Sequence, residues 1–310
     1  MNNSDIQTFL TLVNTKNITR TAQTLFISQP TVSRRLKQLE TELGYTLMIR
    51  DKGGKQITLT PAGEAFVPLA EQLTNLWNRM RQIGDGGWKS SLAVGCTDTF
   101  NAAILLPFYV SLWTERRNNL SLKIATHYSH HLYEMLEIQE INLGFAFHYL
   151  DFKNITAEPL LNEAMFLVQP DAPDTLRREI IHTDELDPDN EIFVSWETQY
   201  EIWHNQWILR DHQPGLTVDT YLLLRELLQV NHSWAIAPFS VVRQLHKDTR
   251  IYVSRIKNDV LPPRRMTYLL GNKNESATIS RVTNLFIRHL REFLQIQYDD
   301  VPESVHIYEP

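Results

Sequence analysis

Polar side chains near the N-terminus follow a pattern that suits contact with nucleic acid. One helix face carries small residues and hydrogen-bond donors at i, i+3, i+4 and i+7, namely Pro30, Ser33, Arg34 and Lys37. Gln29 and Thr31 lie at the N-terminal end of the same predicted helix. Small residues permit close approach, and the longer side chains can donate to base edges or phosphates in a major groove. The face alone would equally suit a solvated helix surface, so its interpretation depends on the elements around it.

Three helical patterns in quick succession position this face. They cover residues 4–15, a short segment of about two turns, and residues 28–43, with N-caps expected at Ser4, Thr19 and Ser28. The third pattern has an apolar stripe opposite the polar face and stops at Gly44, a common helix terminator. Such a tight succession predicts a helix-turn-helix. Thr19 and Arg20, at the start of the second helix, are included among the predicted DNA contacts.

A β-hairpin is predicted directly after the third helix. Residues 45–50 and 56–60 have the pattern of two short strands around a Gly-Gly turn. Arg50, Lys52 and Lys55 lie on or beside this turn, where they would contact phosphates and contribute affinity but little sequence information. Residues 1–60 are therefore predicted to form a winged helix-turn-helix domain that binds double-stranded DNA.

Charge and composition restrict the compartment and the partner. The first sixty residues carry eight basic and four acidic side chains, whereas the whole chain has a net charge of −6. A basic head on an acidic body indicates that only the head meets a polyanion. A single cysteine permits no disulfide within the chain, and there is neither a secretory signal pattern nor an apolar run long enough to span a bilayer. We expect a soluble cytoplasmic protein without membrane contact.

Residues 61–87 are predicted to form a linker helix and a hinge. Thr60 is the expected N-cap and Pro61 the first helical residue. Apolar residues then recur at alternating spacings of three and four, as in a heptad seam: Phe66, Leu69, Leu73, Leu76, Met80 and Ile83. Either this stripe packs on the core of its own chain, or it pairs with the same helix of another subunit. Residues 84–87, rich in glycine, would break the helix.

Residues 88–310 alternate short apolar runs with helical patterns, which predicts α/β units around mostly parallel sheets. Open α/β sheets bind ligands beyond the carboxyl ends of their strands and at helix N-termini. This rule selects Thr97, Asp98, Thr99, Ser129, His130, Phe147, His148, Ser195, Trp196, Asp219 and Thr220. Thr99, Ser129 and Asp219 would also serve simply as helix caps.

Aromatic residues are concentrated in the later part of this segment. Four of the seven tryptophans fall there, at Trp196, Trp203, Trp207 and Trp234. They would suit a cleft that binds an apolar, aromatic or cationic ligand, although core packing is expected for at least two of them. The hydroxyls and helix N-termini of the candidate site favour anions, while Asp98 and Asp219 oppose them. The charge of the ligand stays open at this stage, and Ser129 is the preferred single contact.

Four sequence blocks resemble the LysR-type transcriptional regulators. They are Ala22, residues 27–34 (Ile-Ser-Gln-Pro-Thr-Val-Ser-Arg), residues 39–44 (Leu-Glu-Thr-Glu-Leu-Gly) and residues 59–64 (Leu-Thr-Pro-Ala-Gly-Glu). Two departures are visible. Leu47-Met48 stands where the family usually has Leu-Phe, and residues 231–237 replace a stretch that is often Gly-x-Gly-Ile before Pro238.

The resemblance implies a two-lobed effector-binding domain, like a periplasmic solute-binding protein, behind the winged helix-turn-helix. The chain would cross between the lobes near residues 147–161 and 260–267. Lobe I would comprise about 88–161 and 267–297, and lobe II about 162–266. A small molecule would bind between them, the linker helix would pair subunits into a homodimer or homotetramer, and RNA polymerase is a further candidate partner.

Enzyme and metal hypotheses find little support in the sequence. His127, His130 and His131 are close together, but His-Glu-x-x-His, paired cysteines and a Gly-rich phosphate loop do not occur. Cys96 fits a small core residue better than a nucleophile or redox sensor. We therefore expect no catalysis, cofactor or metal. The rival hypothesis is a solute-binding or enzymatic α/β protein whose N-terminal helices mediate protein contacts.

Overall fold

The computed structural model describes residues 2–50, 57–84, 90–114, 120–171, 177–209, 214–301 and 303–308. These residues form two compact units, the first made mainly of residues 1–88 and the second of most of the remainder. In the first unit the described helices are α1 (Asn3–Thr15), α2 (Ile18–Thr24), α3 (Gln29–Leu43) and α4 (Pro61–Gly84). The described strands are β1 (Met48–Arg50) and β2 (Ile57–Leu59), which pair antiparallel. The predicted winged helix-turn-helix is confirmed.

Asparagine rather than serine or threonine caps the first two helices. The Asn2 side chain accepts from the Asp5 amide at 2.9 Å, and the Asp5 carboxylate accepts in return from the Asn2 amide at 3.3 Å. Asn17 caps α2 by accepting from the Arg20 amide at 3.0 Å. The caps expected at Ser4 and Thr19 are therefore wrong, because an asparagine two residues earlier supplies an equally good acceptor in both cases. The cap of α3 is Ser28 and its C-terminal residue is Gly44 at φ +81°, both as predicted.

A small apolar core joins these elements. Phe9, Leu12, Leu39 and Leu47 are fully buried in it, and the Phe66 ring of α4 lies 5.3 Å from the Phe9 ring. Two polar contacts fix the hairpin and the start of α4. The Glu40 carboxylate of α3 accepts from the Leu47 amide at 2.8 Å. The Thr60 hydroxyl accepts from the Gly63 amide at 2.9 Å, which is the predicted cap.

The second unit is a mixed α/β body. Its described strands are β3 (Ser90–Cys96), β4 (Leu120–Thr126), β5 (Leu143–Ala146), β6 (Ile155–Glu163), β7 (Met165–Pro170), β8 (Ile180–Ile181), β9 (Ile192–Val194), β10 (Leu216–Val218), β11 (Ala235–Pro238), β12 (Ile251–Ile256), β13 (Arg265–Asn272) and β14 (Val305–Ile307). Its described helices are α5 (Asp98–Phe100), α6 (Leu106–Thr114), α7 (Ser129–Glu137), α8 (Thr198–His204), α9 (Tyr221–Leu227), α10 (Phe239–Asp248) and α11 (Ala277–Tyr298). Single π-helical turns cover Asn101–Leu105 and Asn205–Leu209, and single 3₁₀ turns cover Thr183–Glu185 and Pro188–Asn190.

Two principal sheets define two lobes. The strand order is β14-β6-β13-β5-β3-β4 in lobe I and β11-β7-β12-β8 in lobe II, where β9 and β10 form a further parallel pair. The prediction of mostly parallel sheets is wrong, because β13 runs antiparallel to both β5 and β6, and β7 runs antiparallel to β11 and β12. Strands that return after a long excursion through the other lobe need not obey the parallel crossover pattern of neighbouring βαβ units.

The chain changes lobe at two places. The first lies at Ala164, between β6 and β7, and the second lies between β12 and β13, at residues 257–264. The first crossing expected at residues 147–161 is corrected, since Ile155–Glu163 pair along β13 as a full strand of lobe I. Lobe I also extends beyond residue 297, because Val305–Ile307 pair with β6. Glu163 and Arg265 therefore stand directly beside the two crossings.

Candidate DNA-binding surface and ligand cleft

The polar face of α3 is held outward by a buried stripe on its reverse side. Val32, Leu36 and Leu39 are buried, and α3 packs against both α1 and α2. The opposite face exposes Gln29, Pro30, Arg34 and Lys37. Thr31 and Ser33 are half-buried on the same side. The Thr31 hydroxyl lies 2.8 Å from the Ser28 hydroxyl, so it takes part in the helix cap.

Of the remaining predicted DNA contacts, two are described by the structure and the side chains of the others are not. Thr19 and Arg20 are exposed at the start of α2, beside the turn that leads to α3. Arg35, which the sequence did not select, points inward and donates to the Thr8 hydroxyl at 3.3 Å. Lys52 and Lys55 lie outside the described residues, as does the side chain of Arg50 at the end of β1.

The apolar residues of the predicted seam on α4 lie in two different environments. Phe66 is buried and Leu73 is partly buried against the core of the head. Of the two alternatives left open by the sequence, these two residues therefore follow the first, packing on the core of their own chain. Leu69 and Leu76 are 57% and 48% exposed, and they form an apolar edge on the outer side of the helix. The side chains of Met80 and Ile83 lie outside the described residues.

Several predicted cleft residues meet across the two lobes. The Asp98 carboxylate of lobe I accepts from the backbone amide of Tyr221, the first residue of α9 in lobe II, at 2.6 Å. The Tyr128 hydroxyl of lobe I donates to the Asp219 carboxylate at 2.9 Å. We call these two hydrogen bonds the inter-lobe latch. They engage one carboxylate oxygen of Asp98 and one of Asp219.

The cap assignments in the cleft differ from expectation. Thr220, not Asp219, caps α9, with its hydroxyl 3.4 Å from the Leu223 amide. Thr99 is buried inside α5 rather than at its start. Ser129 is the first residue of α7, but its hydroxyl accepts from the Phe147 amide at 3.1 Å and so links two strand ends of lobe I. Ser129 is buried, and this hydrogen bond fixes the backbone at Phe147.

Three predicted residues are placed at the margin of the cleft. His130 is exposed, with its ring 4.1 Å from that of His131. Ser195 is exposed and hydrogen-bonded to the Glu201 carboxylate. His148 is half-buried, and burial lowers the pKa of its imidazole despite the opposing charge of Glu201. His130 and Ser195 are therefore exposed, whereas Phe147 and Trp196 are buried.

A buried arginine that the sequence analysis missed lies at the centre of this group. Arg265, at the start of β13, is 1% exposed. Its Nη2 donates to Glu163 Oε2 at 2.6 Å and to the Ser240 hydroxyl at 3.0 Å, and its Nε donates to the same carboxylate oxygen at 3.2 Å. The guanidinium carbon lies 4.5 Å from the centre of the Phe147 ring and 5.3 Å from that of Trp196. The cation therefore lies within cation–π distance of one aromatic ring from each lobe.

A second ionisable side chain near Arg265 is Glu197, the residue after Trp196. Burial raises the pKa of its carboxyl to about 7, although the positive charge of Arg265 opposes the shift. At neutral pH this group is consequently divided between its neutral and charged forms. The neighbouring Trp196 donates its indole N–H to the Ile236 carbonyl at 2.7 Å.

The tryptophans are mainly core residues, as expected for at least two of them. Trp196, Trp203 and Trp234 are buried, and each donates its indole N–H to a backbone carbonyl.

Cys96 is buried as well, and burial together with the charge of Asp98 raises the pKa of its thiol to about 12. Within the described residues no group of three histidine, cysteine, aspartate or glutamate side chains is arranged to hold a metal ion. In the same residues, no helix is long and apolar enough to cross a membrane.

These features define a class of protein: a winged helix-turn-helix with an exposed polar recognition face, followed by a two-lobed α/β ligand-binding domain. Comparison with known families is consistent with this class. Residues 4–64 match the bacterial regulatory helix-turn-helix proteins of the lysR family, and residues 85–295 match the LysR substrate binding domain. Since the second match alone spans more than half of the sequence, the chain belongs to the LysR family. It is a DNA-binding transcription regulator with an effector-binding domain.

Individual relatives are distant. The HTH-type transcriptional regulator HdfR of Yersinia pestis (strain Pestoides F) is 25% identical over 236 residues, which cover 75% of this chain and 80% of the relative. Among solved structures, a variant of full-length OxyR from Pseudomonas aeruginosa is 21% identical, with a TM-score of 0.61 over 100% of this chain and 99% of the other. CbnR, a LysR family transcriptional regulator, is 18% identical, with a TM-score of 0.64 over 94% and 99%. At these identities the structural likeness shows the fold.

Proposed function

We propose that α3 of this regulator reads an operator in the major groove and that a small effector binds between the two lobes of the second unit. The observation that carries the first part is the exposed row of Gln29, Pro30, Arg34 and Lys37 on a helix whose other side is buried. Recognition helices present their N-terminal residues to base edges in this way. Arg34 is assigned to base readout, and Arg20, Arg50 and Lys52 to phosphates.

The binding of the full-length protein to DNA tests this assignment. Fluorescence anisotropy would compare a duplex from the region upstream of the gene with a random duplex of equal length, at several salt concentrations. We expect binding to both at low salt and a preference for the upstream duplex that persists as salt rises, because phosphate contacts weaken with salt and base contacts do so less. No binding to either duplex at low salt would favour the rival function, in which the N-terminal helices mediate protein contacts.

We further propose that the exposed edge of α4 pairs two subunits into a dimer, from which a tetramer can form. Leu69 and Leu76 support this, since large apolar side chains half-exposed on one side of a long helix are typical of an interface. The double variant Leu69→Asp, Leu76→Asp should dissociate in light scattering, while Leu73→Ala serves as a control that alters the side facing the head. An unchanged mass for the double variant would place the interface elsewhere.

The effector site is proposed at the carboxyl ends of β3 and β5, facing lobe II. Support comes from the latch, from the hydrogen bond between Ser129 and Phe147, and from Arg265, whose guanidinium lies close to one aromatic ring from each lobe. We propose that the protein acts in the cytoplasm through DNA, with RNA polymerase as a further partner, and without catalysis. The family of transcriptional regulators and the protonated, buried thiol of Cys96 support a non-catalytic role.

A further inference from the structure

The C-terminal segment after α11 returns to the place where the chain changes lobe. Its strand β14 is the outermost strand of the lobe I sheet, with Val305 opposite Glu163 and Ile307 opposite Leu161 on β6. Because Glu163 is the last residue of β6, this pairing ends directly beside the first crossing. Val305 is 3% exposed, so the strand is part of the core of the lobe. The segment follows residue 295, where the match to the LysR substrate binding domain ends.

The first crossing, at Ala164, is held through both of its backbone groups. Its amide donates to the carbonyl of Ser304, in the C-terminal segment, at 2.8 Å. Its carbonyl accepts from the amide of Phe239, the first residue of α10 in lobe II, at 3.0 Å. A single residue of the crossing thus joins the C-terminal segment to a helix of the other lobe.

The side chain of Arg264 connects the second crossing to the first. Its Nε donates to the side-chain oxygen of Asn162 at 3.1 Å, and its Nη2 donates to the Asn162 carbonyl at 3.0 Å, two residues before Ala164. In the C-terminal segment, Nη1 donates to the Glu303 carbonyl at 3.1 Å and Nη2 donates to the Ser304 carbonyl at 3.2 Å. A planar guanidinium with fixed donors can bridge several oxygens in this way. Since three of the four acceptors are backbone carbonyls, the side chain fixes the path of the chain itself.

The end of α11 contacts lobe II. Arg243 of α10 donates to the Gln297 carbonyl, and its guanidinium carbon lies 5.3 Å from the centre of the Tyr298 ring. The Phe239 ring, also on α10, lies 6.1 Å from the same ring. Gln297, Tyr298 and residues 303–308 together contact lobe I, lobe II and both crossings, and we call them the hinge clamp.

We propose that the hinge clamp restrains the movement of lobe II against lobe I, and that Arg264 is the positioning residue on which this restraint depends. Hinges are short segments whose backbone angles change when two lobes move. Here both such segments are bonded to the same stretch of chain, so neither can change its path without breaking bonds of the other.

The restraint has a consequence for regulation that goes beyond the proposed function. An effector shifts the arrangement of the lobes only by as much as it prefers one arrangement over the other. Bonds that hold the crossings add to the free energy that this preference must supply. The hinge clamp therefore sets how strongly an effector must discriminate between the two arrangements before the regulator responds.

The inter-lobe latch provides a reporter that shares no residue with the hinge clamp. Tyr221 is the first residue of α9, and its amide donates across the lobes to the Asp98 carboxylate. The amide of a first helical residue has no acceptor within its own helix. Its hydrogen exchange therefore follows separation of the lobes at the latch.

The test measures this exchange in the full-length, ligand-free protein by mass spectrometry of overlapping peptides. Arg264→Ala removes the bridging side chain, and Arg264→Lys keeps its charge on a single ammonium that cannot bridge the same oxygens at once. Arg281→Ala is the matched control, because it removes an exposed arginine at the opposite end of α11.

In both Arg264 variants we expect the Tyr221 amide to exchange faster than in wild type by a factor of about three or more. Arg281→Ala should exchange at the wild-type rate. Amides within β3 and β12 should also keep their wild-type rates in all variants, since each lobe stays folded.

Three results would overturn the proposal. If Tyr221 kept its wild-type rate while the amides of Ala164 and Tyr308 exchanged faster, Arg264 would order only its own surroundings. If amides throughout both lobes exchanged faster together, Arg264 would contribute to overall stability instead. Wild-type behaviour of Arg264→Lys would assign the effect to charge alone. The experiment requires neither DNA nor effector, so its failure is distinguishable from a failure of the anisotropy experiment on the regulator.

Discussion

The head and the two-lobed body use charged side chains in opposite ways. In the head, Arg34 and Lys37 are exposed to solvent on a helix whose opposite, apolar side is buried. In the body, Glu163 and Arg265 are fully buried and bonded to each other beside both lobe crossings. Exposed charges act at a distance and are screened by salt, whereas buried charges depend on an exact partner. The comparison predicts small, salt-dependent effects when an exposed charge of the head is removed, and a large loss of stability when one member of the buried pair is removed.

The largest effect is expected from Glu163→Gln. The change leaves the Arg265 charge buried without compensation, which costs about 3–5 kcal/mol when one partner of such a pair is removed. Urea denaturation of the full-length protein measures it. The matched control is Glu226→Gln, in the surface pair where Arg225 Nη2 lies 2.6 Å from the Glu226 carboxylate, and its midpoint should stay at the wild-type value. Equal loss in the two variants would break the contrast between buried and exposed charge.

A smaller effect is expected from Arg34→Ala in DNA recognition. Loss of a base-edge donor should lower discrimination between operator and random duplex by about 1–3 kcal/mol. Competitive anisotropy at fixed salt measures the ratio of the two dissociation constants. If affinity for both duplexes fell by the same factor, Arg34 would be a phosphate contact and the recognition face would need reassignment.

Glu197→Gln tests the body through pH. The raised pKa of Glu197, about 7 against its ordinary value of 4.5, means that the folded protein binds this proton more tightly than the unfolded chain. Folding stability therefore falls as pH rises from about 4.5 to 7 and is level above that range. The glutamine variant should gain about 1 kcal/mol over wild type at pH 8, after allowance for partial exposure, and nothing at pH 4. A gain that is independent of pH would assign the effect to something other than this proton.

The smallest effect is expected from Arg20→Ala. In helix-turn-helix proteins the first helix of the motif crosses the DNA backbone, and Arg20 lies exposed at the start of α2. Its removal should weaken binding to operator and random duplex alike and reduce the salt slope by about one unit. A change in the ratio of the two affinities with no change in slope would move Arg20 into the group that reads bases.

Local patterns predicted the head well because its determinants lie close together in sequence. Ser28 and Gly44 mark the two ends of α3 through contacts within a few residues, and the apolar stripe between them determines which side of the helix is buried. The caps of α1 and α2 were misplaced by two residues, since asparagine and serine or threonine are nearly equivalent in that role.

The central residues of the body could not be selected in the same way. Glu163 and Arg265 are 102 positions apart, and their pairing depends on the antiparallel register of β6 and β13. One signal was present: Arg265 alternates with Thr267 and Leu269 along a strand, so it shares their buried side. A charged residue on that side requires a partner, but nothing in the sequence identifies which acid supplies it.

The inter-lobe latch has a consequence for cooperativity. Its two hydrogen bonds join residues 123 and 91 positions apart, yet their lobe I ends follow adjacent strands and their lobe II ends lie within one turn. Once Asp98 holds Tyr221, Tyr128 meets Asp219 at a high effective concentration, so the second bond forms with little further loss of entropy. Two individually weak hydrogen bonds therefore reinforce each other. Separation of the lobes at this point requires both bonds to be broken, so the two bonds together oppose it more strongly than either would alone.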